Sequence, residues 1–238
     1  MPYKVLNMPA ILDTDQARFN MIEQQIRPWD VLDTDVLAVL KAVSREDFVP
    51  TAHKALAFSD LEIPLLQPSK PGLCMLAPRV EARLLQDVEI KAGDNVLEIG
   101  TGSGYMAALL AYRAKRVITV EINQSMAANA RDNIEQANIH NIELVQADGS
   151  QMDTWAAFGP FDAIVLSGSV AAVPQELLQH LKPGGRLAAI CGHEPVMCAT
   201  FVTRGEDNAQ GATFSQTTPW DTVAPRLQGF KEPSTFKF

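Results

Sequence analysis

The residues best suited to chemistry gather in one stretch, Val96-Leu97-Glu98-Ile99-Gly100-Thr101-Gly102-Ser103-Gly104-Tyr105. An apolar run ends there in glycines at alternate positions, and a helical pattern through Met106, Leu109 and Leu110 follows. A strand that turns tightly into a helix offers free backbone N–H groups and bare glycine Cα atoms, against which a flat, polar ligand can lie closely. A plain strand–helix turn would use the same glycines, so the chemistry must be argued from what comes next. Lys115 to Glu121 is a second β-rich run, and a carboxylate at its tip can accept both ribose hydroxyls of a nucleoside. Ile142 to Gly149 gives a third strand, with Asp148-Gly149 placed to hydrogen-bond an adenine amino group. Phe161 to Ser167 gives a fourth. Acidic and glycine signals at successive strand ends are jointly far more specific than any one of them.

Spacing separates two cofactor classes. The dinucleotide fingerprint asks for glycine or alanine where this chain has Tyr105, which argues against a nicotinamide oxidoreductase. The pattern E-x-G-x-G-x-G resembles instead the nucleotide loop of class I S-adenosylmethionine (SAM) methyltransferases, where the loop wraps the methionine part and no pyrophosphate is cradled. On this reading Glu98, Gly100, Gly102 and Gly104 shape the methionine side, Glu121 the ribose, and Asp148 with Gly149 the adenine, and Thr101, Ser103, Ile122 and Ser167 join them in binding the cofactor. The resemblance implies SAM as cofactor, with S-adenosyl-L-homocysteine (SAH) as its product.

The elements that must hold these groups read as an α/β chain with a doubly wound, mostly parallel, Rossmann-like sheet, an N-terminal helical extension and a C-terminal antiparallel edge hairpin. Residues 1–14 carry little pattern and predict an irregular arm. Phe19, Ile22 and Ile26 mark one face of a helix that Pro28 ends, and Asp33 or Thr34 can cap a second with Val36, Leu37, Leu40 and Val43 inward. Residues 51–78 have few periodic signals and read as a long ordered loop of functional interest. A helix over Arg79–Gln86 buries Val80, Leu84 and Leu85. Pro174 starts another that runs to Leu181, and Lys182-Pro183-Gly184-Gly185 breaks it before a strand over Arg186–Cys191. Strands over Met197–Thr203 and Thr213–Thr217 make the hairpin, and residues 218–238 form a tail anchored by aromatics such as Trp220 and Phe230. The expected organisation is residues 1–78 as helical region and acceptor loop packed on a methyltransferase domain of residues 79–238.

With 238 residues, of which 47% are hydrophobic, the chain can bury a full core. A net charge of −8 argues against a broad nucleic-acid or anionic-membrane surface. No apolar run approaches the roughly 20 residues of a membrane span, and no signal-peptide pattern opens the sequence. Cys74, Cys191 and Cys198 form no C-x-x-C pair, and the four histidines are scattered, so reduced thiols, a cytoplasmic location and no metal site are expected.

From about Phe19 to Gly192 the chain resembles the protein-L-isoaspartate O-methyltransferases. The likeness rests on Arg27-Pro28-Trp29, Arg45-Glu46-Asp47-Phe48-Val49-Pro50, the Val96–Tyr105 loop, Ala147-Asp148-Gly149, Gly159-Pro160-Phe161-Asp162 and Leu181-Lys182-Pro183-Gly184-Gly185-Arg186-Leu187. It implies a SAM-dependent O-methyltransferase that esterifies the α-carboxylate of isoaspartyl residues in proteins or peptides and so starts protein repair. It also implies an active-site serine in a Gly-x-Thr-Ile-Ser-x-Pro loop. The matching stretch here is Gly72-Leu73-Cys74-Met75-Leu76-Ala77-Pro78, with Cys74 at the threonine position and Leu76 at the serine position.

That departure bears on the acceptor. A carboxylate is ionised near pH 7 and needs no general base, so the protein's work is to align oxygen, methyl carbon and sulfur and to exclude water, worth roughly 7–11 kcal/mol. Losing the hydroxyl that orients the acceptor costs about 1–3 kcal/mol. Ser59, Ser69 or Ser169 could supply it instead. Two alternatives stand beside repair: a divergent member that methylates another acceptor, and a SAM-binding regulator without turnover.

Overall fold

The computed structural model describes residues 13–209 and 211–232; the expected arm before residue 13 and the end of the tail lie outside them. Asp13 caps the first helix, α1 (Thr14–Met21), by accepting the Gln16 N–H at 3.1 Å. The chain then widens into a π-helical turn at Ile22–Ile26 and tightens into a 3-10 turn at Arg27–Trp29, which ends on Asp30 in the left-handed region, φ 59°. Because of the π-turn the apolar face is not the one a 3.6-residue period predicts. Phe19 is 48% exposed, whereas Met21, Ile22 and Ile26 are fully buried. Asp33 caps α2 (Thr34–Ala42), accepting from Asp35 N and Val36 N, and the expected inward set is joined by Val39.

The stretch over residues 51–78 is more ordered than a loop. A 3-10 turn at Thr51–Leu56 leads to a two-residue strand, β1 (Ile63–Pro64), which pairs antiparallel with β2 (Cys74–Met75). Strands this short carry no periodic signal. Arg45 ties down the chain on either side of the pair, its fully buried guanidinium donating to the carbonyls of Ala57 (2.8 Å) and Leu76 (2.9 Å). Helix α3 (Pro78–Asp87) follows directly, with proline at its first position.

The main sheet contains β3 (Asn95–Ile99), β4 (Arg116–Glu121), β5 (Ile142–Gln146), β6 (Phe161–Val170), β7 (Leu181–His193), β8 (Val196–Arg204) and β9 (Phe214–Thr222) in the order β5-β4-β3-β6-β7-β8-β9. The first five are parallel, while β8 and β9 are antiparallel additions at one edge. Helices α4 (Tyr105–Arg113) and α5 (Gln124–Gln136) make the crossovers on one flank of the switch. Helix α6 is only Gln175–Leu178, shorter than the proline-to-Leu181 span that the pattern predicts. Leu181 pairs with Phe161 and Arg186 with Ala163, so Lys182–Gly185 is a bulge within β7 rather than a break before it.

The chain leaves β3 toward β4 and β5 on one side and returns through β6 and β7 on the other. This puts the topological switch, where open α/β sheets bind ligands, at the carboxyl ends of β3 and β6. A strap formed by residues 224–229 crosses the same place. It is held by Ser169, whose N–H donates to Pro225 O (2.7 Å), whose carbonyl accepts from Leu227 N (2.9 Å), and whose hydroxyl donates to Ala224 O (2.8 Å). Trp220 and Phe230 anchor the flanking segments, Trp220 by an Nε1–H bond to Asp87 Oδ2 at 2.8 Å and Phe230 by packing on the sheet core.

Candidate functional site

At the switch point lies a cleft lined by the turn residues Gly100 and Gly102, by Glu121 at the end of β4 and Ile122 after it, by Gly149 and Ser167, by Gly72, Leu73, Cys74 and Leu76 of the loop after residue 70, and by Pro225, Arg226, Leu227 and Gln228 of the strap. Ile99, Val120 and Met126 complete its apolar wall.

The glycine turn works differently from the expectation of free N–H donors. Gly100 N and Thr101 N both donate to Val120 O, Gly102 N to Glu121 Oε2 (2.9 Å), and Gly104 N to Thr101 O. These donors are spent within the protein, so what the turn offers is bare Cα surface. Gly104 sits at φ +87° as the residue before α4, and Tyr105 is buried, its ring 5.5 Å from Phe48.

Glu121 is the anionic group of the cleft. Its Oε2 is bound by Gly102 N and its Oε1 by Asn123 N (2.9 Å), which fixes the carboxylate in one orientation and leaves further lone pairs on both oxygens. Burial pushes its pKa up, while the N–H groups of Asn123, Gly102 and Ile122 pull it down. Asp148 is turned by Ser150 N onto its Oδ1 (2.9 Å) and is overlaid by the strap: Gly229 lies so close, at φ +85°, that a Cβ there would stand 2.3 Å from Asp148 Oδ1.

Glu98 is fully buried below the cleft and outside its lining. It accepts the hydroxyls of Thr119 (2.6 Å) and Ser167 (2.7 Å), and Thr101 Oγ1 joins through Thr119 at 2.7 Å. Glu98 therefore positions Ser167, and Thr101 is part of the floor. Ser103 lines an adjoining cleft with Phe48, Val49 and Asn133. Of the serines that could replace the missing hydroxyl, none lies in the lining, and Ser169 is fully buried with its hydroxyl committed to the strap. Pro78 begins α3, also outside the cleft. Cys74 Sγ donates to Glu62 Oε2 at 3.4 Å, and burial with that carboxylate pushes the thiol up to about 12, so it is a poor nucleophile. Leu76, 6% exposed, presents only carbon.

Burial pushes Glu98 up to about 7, against its two hydroxyl donors and with repulsion from Glu121. A carboxylic acid raised above its unfolded value near 4.3–4.5 holds its proton longer when folded, so stability falls as pH rises from about 4.5 to about 7 and levels off above. Glu98→Gln is expected to flatten that decline by at least about 1 kcal/mol, or roughly 2–4 °C in the melting temperature between pH 5 and pH 8. Thermal melts of both proteins at the two pH values measure it; parallel curves would show that Glu98 is ionised throughout.

The strap is the part of the site that sequence reasoning missed. Pro225 to Gln228 carry no periodicity, and their bond to Ser169 spans more than fifty residues, so no local signal marked them.

The model of a family described as Protein-L-isoaspartate(D-aspartate) O-methyltransferase (PCMT) matches residues 16–217. A protein-L-isoaspartate O-methyltransferase of Methanoculleus marisnigri is 39% identical over 187 residues, covering 79% of this chain and 81% of that protein. Among solved structures, a protein-L-isoaspartate O-methyltransferase superposes with a TM-score of 0.74 at 20% identity, over 91% of this chain and 66% of that one. A Plasmodium falciparum protein-L-isoaspartate O-methyltransferase in complex with SAH gives 0.69 at 18% identity, over 90% and 99%. At these identities the two structures speak for the fold.

Proposed function

The chain belongs to the protein-L-isoaspartate(D-aspartate) O-methyltransferase family, a SAM-dependent enzyme family, and from that premise we propose that it esterifies carboxylates of isoaspartyl residues in aged proteins or peptides. The observation that carries this reading is the cleft at the sheet switch, which sets Glu121 and the bare glycine turn opposite the loop that bears Cys74 and Leu76. The donor set fits an adenosyl sulfonium: an oriented carboxylate for ribose hydroxyls, glycine Cα surface for the methionine chain, and Ile99, Ile122 and Met126 as apolar cover. When bound, SAM supplies an electrophilic methyl carbon with a neutral thioether as leaving group.

The chain's own residues then bind, align and dry the site. Glu121 fixes the nucleoside end, and Glu98 holds the Ser167 hydroxyl at the cleft wall. Leu227 covers Gly100, and Gly72 meets Pro225, where a Cβ on the glycine would be 3.9 Å away, so loop and strap close the mouth together. No residue has to take a proton, because the acceptor oxygen is already ionised. The acidic chain, its unpaired thiols at Cys74, Cys191 and Cys198, and a protein substrate all suit a cytoplasmic repair enzyme. The two-part organisation, residues 1–78 as the acceptor side and 79–238 as the cofactor side, goes with this reading, although Met21, Ile22 and Leu40 share one buried core with Leu84 and Leu109.

Leu76 favours a second reading, a different acceptor on the same cofactor machinery. Incubation with labelled SAM and an isoaspartyl peptide tests the two. Ester formation on the peptide supports repair; transfer only to other proteins of a lysate supports the second reading, and SAH binding with no transfer at all leaves a regulator. Leu76→Ser is expected to raise isoaspartyl ester formation about tenfold by restoring a hydrogen-bond donor worth ~1 kcal/mol or somewhat more. A folded L76S protein with no gain would take position 76 out of the acceptor site.

A further inference from the structure

Arg226 is the one cationic residue among those that line the cleft. Its guanidinium is held along two edges: Nη2 donates to Gly192 O at 2.7 Å, and Nε lies 2.9 Å from Glu232 Oε1. Nη1 is buried and has no hydrogen-bond partner among the described residues. A buried donor left unpaired is costly, so a group that accepted from Nη1 would recover a hydrogen bond.

Its place in the fold narrows what that ligand is. The Arg226 backbone bridges to Ser169, next to Leu227, which overlies Gly100 and Gly168. This is the β6–β7 side of the cleft, away from Glu121 and Asp148, which stand at the ends of β4 and β5. It is also the side where the strap meets the 72–76 loop, and there Leu76 offers no hydroxyl. Arg226, its charge shared with Glu232, is the cationic residue that a carboxylate entering between loop and strap would meet in the lining.

We propose that the Arg226 guanidinium binds the methyl-accepting carboxylate and so supplies the contact to the charged acceptor that Leu76 cannot. The inference rests on reading the cleft as a carboxyl methyltransferase site. One carboxylate oxygen accepts from Nη1–H, and the other uses a lone pair to form the new O–CH3 bond. The S–CH3 bond breaks with its electron pair left on sulfur, giving SAH and a neutral methyl ester. Arg226 therefore attracts the charged acceptor more strongly than the transition state, in which that charge is vanishing, and holds the ester least. Losing a group of this kind raises KM without lowering kcat, and its weak hold on the neutral ester leaves product free to depart.

The experiment compares wild type, Arg226→Gln and Arg226→Lys, with KM and kcat for an isoaspartyl peptide measured from labelled SAM and SAH affinity measured by calorimetry. R226Q is expected to raise KM about 10- to 100-fold with kcat unchanged or raised and SAH affinity unchanged, and R226K to recover part of the loss in KM. A wild-type KM in R226Q overturns the inference while the transferase reading stands. Weakened SAH binding with an unchanged peptide KM assigns Arg226 to the cofactor's own carboxylate and overturns it too. So does a loss of kcat and melting temperature that lysine does not relieve, since this marks a strap fastener. No transfer by the wild-type protein sinks the transferase reading, and the inference with it.

Discussion

Glu121→Ala is expected to lower the affinity for SAH by at least about 100-fold while leaving the protein folded. Each ribose hydroxyl bound by a carboxylate is worth about 1.5–3 kcal/mol, so two amount to roughly 3–6 kcal/mol, and every 1.4 kcal/mol is tenfold. The orientation is prepaid, because Gly102 N and Asn123 N already fix both oxygens at 2.9 Å. Those two donors lose their acceptor in the variant, and since they border a cleft, water can replace it at modest cost. Glu121→Gln is no conservative control: its amide nitrogen must face one of two N–H donors, so it is expected to fall between wild type and alanine. The pH dependence has a direction as well. Burial raises the Glu121 pKa above its ordinary value, so the acceptor of the ribose hydroxyls is lost to protonation, and affinity with it, at a less acidic pH than for an exposed glutamate. Calorimetric titration with SAH measures all of this, and an unchanged affinity in E121A would mean that the nucleoside does not lie at the tip of β4.

The parts of this site that were legible in the sequence are those encoded locally. Gly100, Gly102, Glu121, Ile122, Gly149 and Ser167 each lie within or just after a strand whose apolar run can be read residue by residue, and the sheet brings all six into one lining. Glu98 was legible as an acidic strand residue but not as a buried one, because its partners Thr119 and Ser167 are 21 and 69 residues away. The α1 face shows the same limit at short range. A π-turn at Ile22–Ile26 inserts an extra residue into the turn, so Phe19 faces out and Met21 in. The 51–78 stretch is tied at two points by Arg45, a residue outside it, whose two carbonyl contacts pin Ala57 and Leu76. The strap is the extreme case: its order comes from three bonds to Ser169, and Ser169 gives no sign of them in its neighbours.

Gly100→Ala is the second large effect, and it separates the turn's backbone role from that of the carboxylate. Gly100 has φ +97°, where an L-residue costs about 1–3 kcal/mol. Its new methyl would stand 3.2 Å from the Ser167 carbonyl oxygen, which β6 holds in place, and 2.7 Å from Leu227 Cδ2, the far end of a side chain on the strap. The backbone contact cannot yield much; the leucine can. The strap is therefore expected to lift from Gly100, and the methyl to fill the bare surface on which the methionine chain would rest. SAH affinity should fall about 100-fold or more, with a loss of about 1–3 kcal/mol in stability. Gly102→Ala makes the matched comparison. At φ +58° and with only Leu65 Cδ1 at 3.4 Å, alanine there meets ordinary contact and keeps the N–H that orients Glu121, so a smaller loss of both quantities is expected. Calorimetry and thermal melts on the two variants measure the difference. Equal effects would mean that the crowding between Leu227, Ser167 and Gly100 does not shape the cleft, and that the turn acts only as the link between β3 and α4.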